Sequence, residues 1–443
     1  MRVLLCQSYL GPMKTAPPIV FPLGLSYLAA MINNEHEVHC WDPNVSEDYK
    51  KELSKLLERT LPDIVGLSLR NIDTASSIHN HSFYPLFRSM IKIIKEIVPS
   101  CILVVGGCGF SLFAEEIIKR NPEIDFGIIS EGEYPFANLL KNLGHPERVN
   151  NLIFRKGGQI QKTEKRFYDF DSLPQPAIEA FDLRPYQKHR YSMSIQSKRG
   201  CGFNCIFCPT KFLFGNKYRL RSPKKVVNEI EHLLETVDIN SYFFVDSTFN
   251  HPYEHSQKIC KELIKRKIEI NWTAEFTPLL LNKSYTRDTV RSGCKFFYFS
   301  PDGASNGALK SLGKGIRLKH IETTISLARK VKDMNVGYSF MYDLPSHNSE
   351  HIKRLSRLVP KMIFSLREKL YFIKLTKMRI YPHSRLHNIA INEGKIRKSS
   401  GILYPTYYSV TSRFNKENFI SGGLQKSCSL FEILTRKCRT YDF

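Results

Sequence analysis

Over the first 145 residues, short apolar runs alternate with longer stretches whose apolar positions recur every three or four residues. The short runs, Arg2–Ser8, Val38–Trp41, Asp63–Leu69, Ile102–Val105 and Phe126–Ile129, predict strands. Leu23–Ile32, Tyr49–Thr60, Phe83–Val98, Leu112–Arg120 and Tyr134–Leu143 predict helices, and Pro99 closes the third. Five alternations of strand and helix predict an α/β, doubly wound, Rossmann-like parallel sheet over residues 1–145.

A second alternation starts at Tyr191. Tyr191–Ser197, Ser241–Val245, Glu269–Ala274, Lys295–Ser300, Val336–Met341 and Leu370–Arg379 predict strands. Ser222–Val237, Glu254–Lys267, Ser284–Ser292, Leu318–Lys332 and Glu350–Ile363 predict helices, the first with Ser222 as N-cap and Pro223 at its first position. Six β/α steps predict a partial (β/α)6 barrel over 189–382, and barrel enzymes place their chemistry at the C-terminal mouth. Between the two patterns, Asn150–Glu164 reads as a hairpin around Lys156-Gly157-Gly158 and Phe167–Pro176 as a proline-marked connection, so 146–188 is expected to be a linker. Beyond Pro382 the periodicity decays; 383–443 is expected to be a C-terminal extension that covers the substrate.

A chain of 443 residues with 42% hydrophobic content is long enough for two or three domains, each with its own core. No uninterrupted apolar run reaches the roughly 18 residues of a membrane span. Met1–Leu10 lacks a signal-peptide core, so a cytoplasmic protein without a transmembrane segment is expected. Eleven scattered cysteines in a long chain are not a disulfide framework; Cys6, Cys40, Cys101 and Cys294 sit in apolar runs and read as buried thiols. The net charge of +23 is uneven. Residues 1–150 carry 14 Lys/Arg against 17 Asp/Glu, a net of −3, which leaves 51 against 25, or +26, for the rest. Such a balance suits an anionic substrate, an acidic protein, anionic lipid or nucleic acid, or serves solubility. No nucleic-acid-binding motif accompanies it, so nucleic acid is not the expected partner.

The densest chemistry is Arg199-Gly200-Cys201-Gly202-Phe203-Asn204-Cys205-Ile206-Phe207-Cys208-Pro209. Thiolates are soft ligands for zinc or iron–sulfur centres. Three on one loop leave two readings: a zinc knuckle closed by a distant ligand, or three corners of a cubane cluster with one iron open. The loop follows the first barrel strand, at the reactive mouth, which favours the cluster. In the first half, Ser68-Leu69-Arg70, Gly106-Gly107 and Glu131-Gly132-Glu133 end strands of the sheet, where doubly wound folds take ligands. His383 and His387 lie four apart, a spacing that suits metal ligands on one helix face; Cys428 and Cys438 lack further ligands for a second cluster.

The cysteine spacing, with Phe207 before the last cysteine, resembles the radical S-adenosylmethionine (SAM) superfamily. Phe21-Pro22-Leu23-Gly24-Leu25-Ser26-Tyr27-Leu28-Ala29, Ser68, Gly106-Gly107 and Glu131-Gly132-Glu133 resemble the cobalamin-binding domain that precedes many radical SAM barrels. Leu173-Pro174-Gln175-Pro176, followed by Phe181-Asp182-Leu183 and Tyr186, resembles the linker of those enzymes. The resemblance extends over residues 1 to about 395, to cobalamin-binding, class B radical SAM methyltransferase-like enzymes.

It implies that Cys201, Cys205 and Cys208 hold a [4Fe–4S] cluster whose open iron takes SAM. It places Phe207 against the adenine and makes Asp246, Glu275, Asp302 and Ser339 further SAM contacts; Asp302 stands where relatives carry a glutamate, and Leu312-Gly313-Lys314-Gly315 matches well. It gives the cradling of cobalamin to Pro22, Gly24, Ser68, Gly106, Gly107, Glu131, Gly132 and Glu133. The Asp-x-His-x-x-Gly loop whose His coordinates cobalt in other cobalamin proteins is absent after the first strand. The implied reaction cleaves SAM to a 5′-deoxyadenosyl radical, activates an unactivated carbon and delivers a methyl group from methylcobalamin. Alternatives are a cobalamin-assisted oxidation, ring contraction or cyclisation, an RNA- or protein-modifying radical SAM enzyme, and a non-catalytic cobalamin-binding regulator. The implied partners are a small-molecule or peptide substrate, anionic if the charge serves recognition, and an external electron donor of flavodoxin or ferredoxin type.

Overall fold

The computed structural model describes residues 1–12, 19–77 and 80–410. Cys428, Cys438 and the basic tail lie outside the described residues.

The first unit is built on strands β1 (Arg2–Gln7), β2 (Glu37–Trp41), β3 (Ile64–Ser68), β4 (Ile102–Gly106) and β5 (Phe126–Ile128), with helices α1 (Leu23–Ile32), α2 (Tyr49–Thr60), α3 (Tyr84–Ile97), α4 (Cys108–Leu112), α5 (Ala114–Arg120) and α6 (Glu133–Lys141). The five strands are parallel, in the order β2-β1-β3-β4-β5. Val3, Leu4, Leu5 and Cys6 are all fully buried, because a central parallel strand is covered on both faces. The expected hairpin forms as β6 (Leu152–Lys156) and β7 (Gln159–Lys162), but it is no free linker: β6 pairs antiparallel with β5 and extends the sheet to seven strands. The helix expected over Leu112–Arg120 starts earlier and breaks in two at Phe113. Gly107, at φ 95°, turns the chain straight from β4 into α4; a Cβ there would lie 2.6 Å from the Leu69 carbonyl oxygen, so only glycine fits this approach.

A short helix α7 (Arg184–Gln187) leads into β8 (Met193–Ile195) and the two-residue strand β9 (Lys198–Arg199), which pairs across the cysteine loop and helix α8 (Thr210–Phe214) with β10 (Arg219–Leu220). Then follow α9 (Pro223–Thr236), β11 (Ser241–Phe244), α10 (Tyr253–Lys265), β12 (Asn271–Phe276), α11 (Lys283–Arg291), β13 (Cys294–Asp302), α12 (Asn306–Ser311), α13 (Leu318–Lys330), β14 (Asn335–Tyr342), α14 (Asn348–Leu366), β15 (Leu370–Lys377) and α15 (Arg385–Asn392). Six parallel strands in the order β8-β11-β12-β13-β14-β15 make the partial barrel. Its inner face is aromatic low down, where Phe243 meets Tyr298 at 6.3 Å and Phe296 meets Tyr298 at 4.4 Å and Phe372 at 5.9 Å between ring centroids. The face turns polar toward the mouth, at Glu275, Ser300 and Asp302.

The two units share a buried interface. Apolar residues of the first sheet and α1 form one core with those of the barrel and α9. The Arg379 guanidinium, beyond β15, donates to the Asp73 carboxylate at 2.8 Å, both fully enclosed, and the Tyr186 hydroxyl donates to Asp42 at 2.6 Å. No helix of the described residues is long and apolar enough to cross a membrane.

Candidate active site between the two units

The strand ends of the first sheet face β9 and Gly200, just before the cysteines, across one cavity of about 450 Å3. Pro22, Gly24, Ser68, Gly106, Gly107, Glu131, Gly132 and Glu133 all lie on its wall, with Arg70 and Cys108. The opposite wall comes from the barrel: Ser194, Gln196, Lys198, Arg199, Gly200, Val245 and Ser247. Helix dipoles add to the first wall, since the N-termini of α1 and α6 open onto it.

The acidic loop of the first wall does not present free carboxylates. Glu133 takes both ends of the Arg199 guanidinium, at 2.6 and 3.1 Å, and Glu131 takes that of Arg219. Arg199 also reaches Gln196 at 3.0 Å and lies 3.7 Å from Glu131. Burial opposes ionisation of Glu133, but Arg199 outweighs it, and the carboxyl is held below its ordinary range. In the sequence Arg199 carries no assigned role, although it heads the cysteine motif, and Arg219 goes unmarked there. The usable signal was the charge asymmetry of the two halves: the acidic half meets the basic half here and at Asp73–Arg379.

The cysteine loop is braced by backbone. Gly200, at φ 85°, leaves room that a Cβ would not; the added atom would lie 2.0 Å from the Lys217 carbonyl oxygen. Cys201 N–H donates to Gly215 and Ile206 N–H to Leu312, while the Ile206 carbonyl accepts from Leu386 N–H at the start of α15. The Tyr218 hydroxyl lies 3.7 Å from the Cys201 sulfur and the Thr210 hydroxyl 3.0 Å from that of Cys208. Burial raises the Cys201 thiol and pushes that of Cys205 up to about 11, with Lys314 opposing the rise. Such thiols ionise when a metal centre binds them. Among the described residues no three His, Cys, Asp or Glu side chains converge on a single metal ion. The three thiols, near enough to perturb one another, suit the wider span of a cluster.

The other barrel candidates separate. Asp246 is fully enclosed, and its carboxylate accepts from the Ser197 and Lys198 N–H groups, at 2.8 and 3.1 Å, and from the Ser197 hydroxyl. It braces the strand that feeds the cysteine loop, with the Lys198 ammonium 3.5 Å from its carboxylate. Asp302 is ion-paired to Lys314 at 2.6 Å, and the Lys314 ammonium lies 5.7 Å from the centre of the Phe207 ring. Glu275 accepts from the Ser300 hydroxyl at 3.2 Å; burial pushes its carboxyl up to about 7. Ser339 is half-buried in β14, in register with Lys374. None of these five lies on the cavity wall. His383 and His387 do not share a helix face: His383 precedes α15 and stacks on Phe212 at 3.7 Å between ring centres.

Comparison with known proteins places this geometry. A B12 binding domain model matches residues 10–140, and a model of the Radical SAM superfamily matches residues 195–359. The chain belongs to the cobalamin-binding radical SAM enzymes. It is 26% identical over 379 residues to an uncharacterized methyltransferase of Pyrococcus horikoshii, with 84% of this chain and 78% of that protein covered. To the anaerobic magnesium-protoporphyrin IX monomethyl ester cyclase of Cereibacter sphaeroides it is 24% identical, over 76% of this chain and 56% of the cyclase. Its fold matches that of the radical SAM methyltransferase TsrM from Kitasatospora setae, solved with tryptophan and a SAM analogue: TM-score 0.76, 20% identity, 90% of this chain and 78% of that one covered.

In this radical SAM enzyme the cavity fits a corrin edge. A Cβ added at Gly24 meets nothing within 4 Å, so glycine keeps that wall low. The buried Ser194 hydroxyl has no hydrogen-bond partner.

Proposed function

We propose that this radical SAM enzyme transfers a methyl group to an unactivated carbon of a small-molecule or peptide substrate. One observation carries the reading: the strand-end loops that form the cobalamin side of the cavity share its wall with Arg199 and Gly200, the two residues before Cys201. Methyl delivery to a carbon radical needs the two cofactors on one substrate space. The name of the Pyrococcus relative points the same way. When bound, the cluster and methylcobalamin supply reductive cleavage of SAM and the methyl group. The chain's own residues orient and enclose. Cys201, Cys205 and Cys208 hold the cluster, and Gly24, Ser68, Gly106, Gly107 and Gly132 let backbone approach the corrin. Glu131 and Glu133, locked to arginines, fix the distance between the two walls. Phe207, Glu275, Asp302 and Ser339 are proposed to line the SAM side, where the Asp302–Lys314 pair and the Ser300–Glu275 bond set the local charge.

The cyclase relative favours a second reading, cobalamin-assisted oxidation, ring contraction or cyclisation without methyl gain. Anaerobic reconstitution with iron, sulfide, cobalamin and SAM under reductant tests both. A substrate that gains one methyl while 5′-deoxyadenosine and S-adenosylhomocysteine accumulate supports the first. 5′-Deoxyadenosine with an oxidised or cyclised product of no added carbon replaces it with the second. Failure to form 5′-deoxyadenosine at all overturns both.

A further inference from the structure

On β15 the outer positions belong to the core: Ile373 and Leu375 are buried on the face against which α14 packs. Side chains alternate along a strand, so Phe372, Lys374 and Thr376 point the other way, into the barrel. The rings agree with this direction. Phe372 meets Phe296 at 5.9 Å and Tyr298 at 5.5 Å between centroids, and Tyr298 meets Phe243 at 6.3 Å. Phe243, Tyr298 and Phe372 are only half-buried, so part of each ring opens into the barrel interior. Lys374 stands two residues further along β15 than Phe372 and is exposed to that same space.

Its setting differs from that of a lysine on the outer surface. β12 and β15 stand three strand spacings of about 4.8 Å apart along the sheet. The Lys374 charge nevertheless acts on Glu275 of β12, so the ammonium reaches across the concave side of the sheet. It makes no hydrogen bond or ion pair with any described residue, and the Tyr298 hydroxyl makes no hydrogen bond to one either. Glu275 accepts from Ser300 and is pushed up to about 7 by burial, so near neutral pH it carries only part of a counter-charge. A ligand that fills the barrel displaces the water around the ammonium, and a cation stripped of water needs a negative partner. A neutral ligand leaves it without one.

We propose that the barrel interior takes a flat aromatic acid, its ring on Phe243, Tyr298 and Phe372 and its carboxylate on Lys374. This names the substrate class of the proposed function and rests on that reading. Open aromatic rings offer faces and edges to a further ring. One flexible ammonium, with no guanidinium beside it in the strand, matches a single negative charge. Lys374 is thus a specificity-determining residue.

The holoenzyme, reconstituted with iron, sulfide and cobalamin, is titrated calorimetrically with SAM present and no reductant. The probes are 2-naphthoate, its neutral amide 2-naphthamide, and acetate. Wild type is expected to bind 2-naphthoate about tenfold more tightly than 2-naphthamide and at least about a hundredfold more tightly than acetate. Lys374→Met keeps a long side chain without the charge and should lose the preference for acid over amide; Lys374→Arg should retain it. SAM affinity, and 5′-deoxyadenosine formed under reductant without a further substrate, should be unchanged in both variants. Equal binding of acid and amide by wild type overturns the proposal, as does a preference that survives in Lys374→Met. Acetate binding as tightly as 2-naphthoate overturns it too, since the rings then contribute nothing. A fall in SAM affinity in Lys374→Met that matches the fall for 2-naphthoate also overturns it, because Lys374 then serves SAM. If reductant yields no 5′-deoxyadenosine with wild type, the functional reading fails, and the titration, made without turnover, still decides whether the barrel takes an aromatic acid.

Discussion

The two walls of the site are made of different material. The cobalamin-side wall sets glycines at the ends of parallel strands among apolar side chains such as Phe21, Leu23 and Phe136, and its two carboxylates are locked to Arg199 and Arg219. The side proposed for SAM lies off that cavity and is made of side chains: Glu275 held by one hydroxyl, Asp302 balanced by Lys314, Phe207 beneath that ammonium. A wall of glycines and apolar side chains is set by the fold and indifferent to pH. A wall of side chains takes its charge from its neighbours, so the same residues change character with protonation. On the proposed function, the first offers shape to cobalamin and the second offers tunable charge to SAM.

The sharpest break between the walls is to remove one and keep the other. Replacing Cys201, Cys205 and Cys208 together by Ala is expected to abolish iron binding and lower 5′-deoxyadenosine formation roughly a thousandfold or more. Cobalamin binding, measured by its visible spectrum after desalting, should persist. Loss of cobalamin together with iron would show that the walls are not separable. The next largest effect targets the ties between them. Glu133→Ala removes the main partner of the buried Arg199, which costs up to about 3–5 kcal/mol, less what Glu131 at 3.7 Å compensates. Urea unfolding should show that loss, with a smaller one for Glu133→Gln, whose amide oxygen still accepts one bond. A loss under about 1 kcal/mol would mean that water reaches Arg199 and that the pair is not buried in solution.

The contrast also decides what was legible. The cobalamin-side wall could be read because strand-end position and glycine fix where a loop goes, and all eight expected cobalamin-site residues lie on one cavity. The side-chain wall could not, because a carboxylate's role depends on partners distant in sequence. Asp246, at the expected strand end, is consumed by Ser197 and Lys198 almost fifty positions earlier. The hairpin at 152–162 was foreseen as a hairpin but not as an extension of the sheet, since its partner β5 is only three residues long. His383 and His387 had helical spacing, but Ser384 caps α15 between them, leaving His383 outside.

Glu275 tests the side-chain wall through pH. Its carboxyl is raised from 4.5 to about 7, first by burial, with the charge of Asp302 adding and Ser300 and Lys314 opposing. Below pH 4.5 the folded and unfolded forms are both protonated, and the site costs nothing on this account. Between 4.5 and 7 the unfolded chain releases its proton while the folded one keeps it, so stability falls as pH rises, and above 7 the loss is complete. That loss is at most about 3 kcal/mol, less any relief from water inside the barrel. Glu275→Gln should match wild type in urea unfolding at pH 4 and exceed its stability at pH 8. Equal stability at both would show that the carboxyl ionises normally.

The smallest effect tests the cobalamin-side wall, and it has two signs. Gly24 is the second residue of α1, and no atom lies within 4 Å of a Cβ placed on it. In Gly24→Leu the helix loses a flexible glycine, which favours the folded apo-protein by about 0.5–1 kcal/mol. The same side chain enters the cavity where the corrin is proposed to sit. Cobalamin affinity should then fall about tenfold, or 1.4 kcal/mol, with iron binding unchanged. A merely disruptive substitution lowers stability and affinity together, and a site elsewhere leaves affinity alone. Only a glycine kept bare to make room for a ligand gives a more stable apo-protein that binds cobalamin less well.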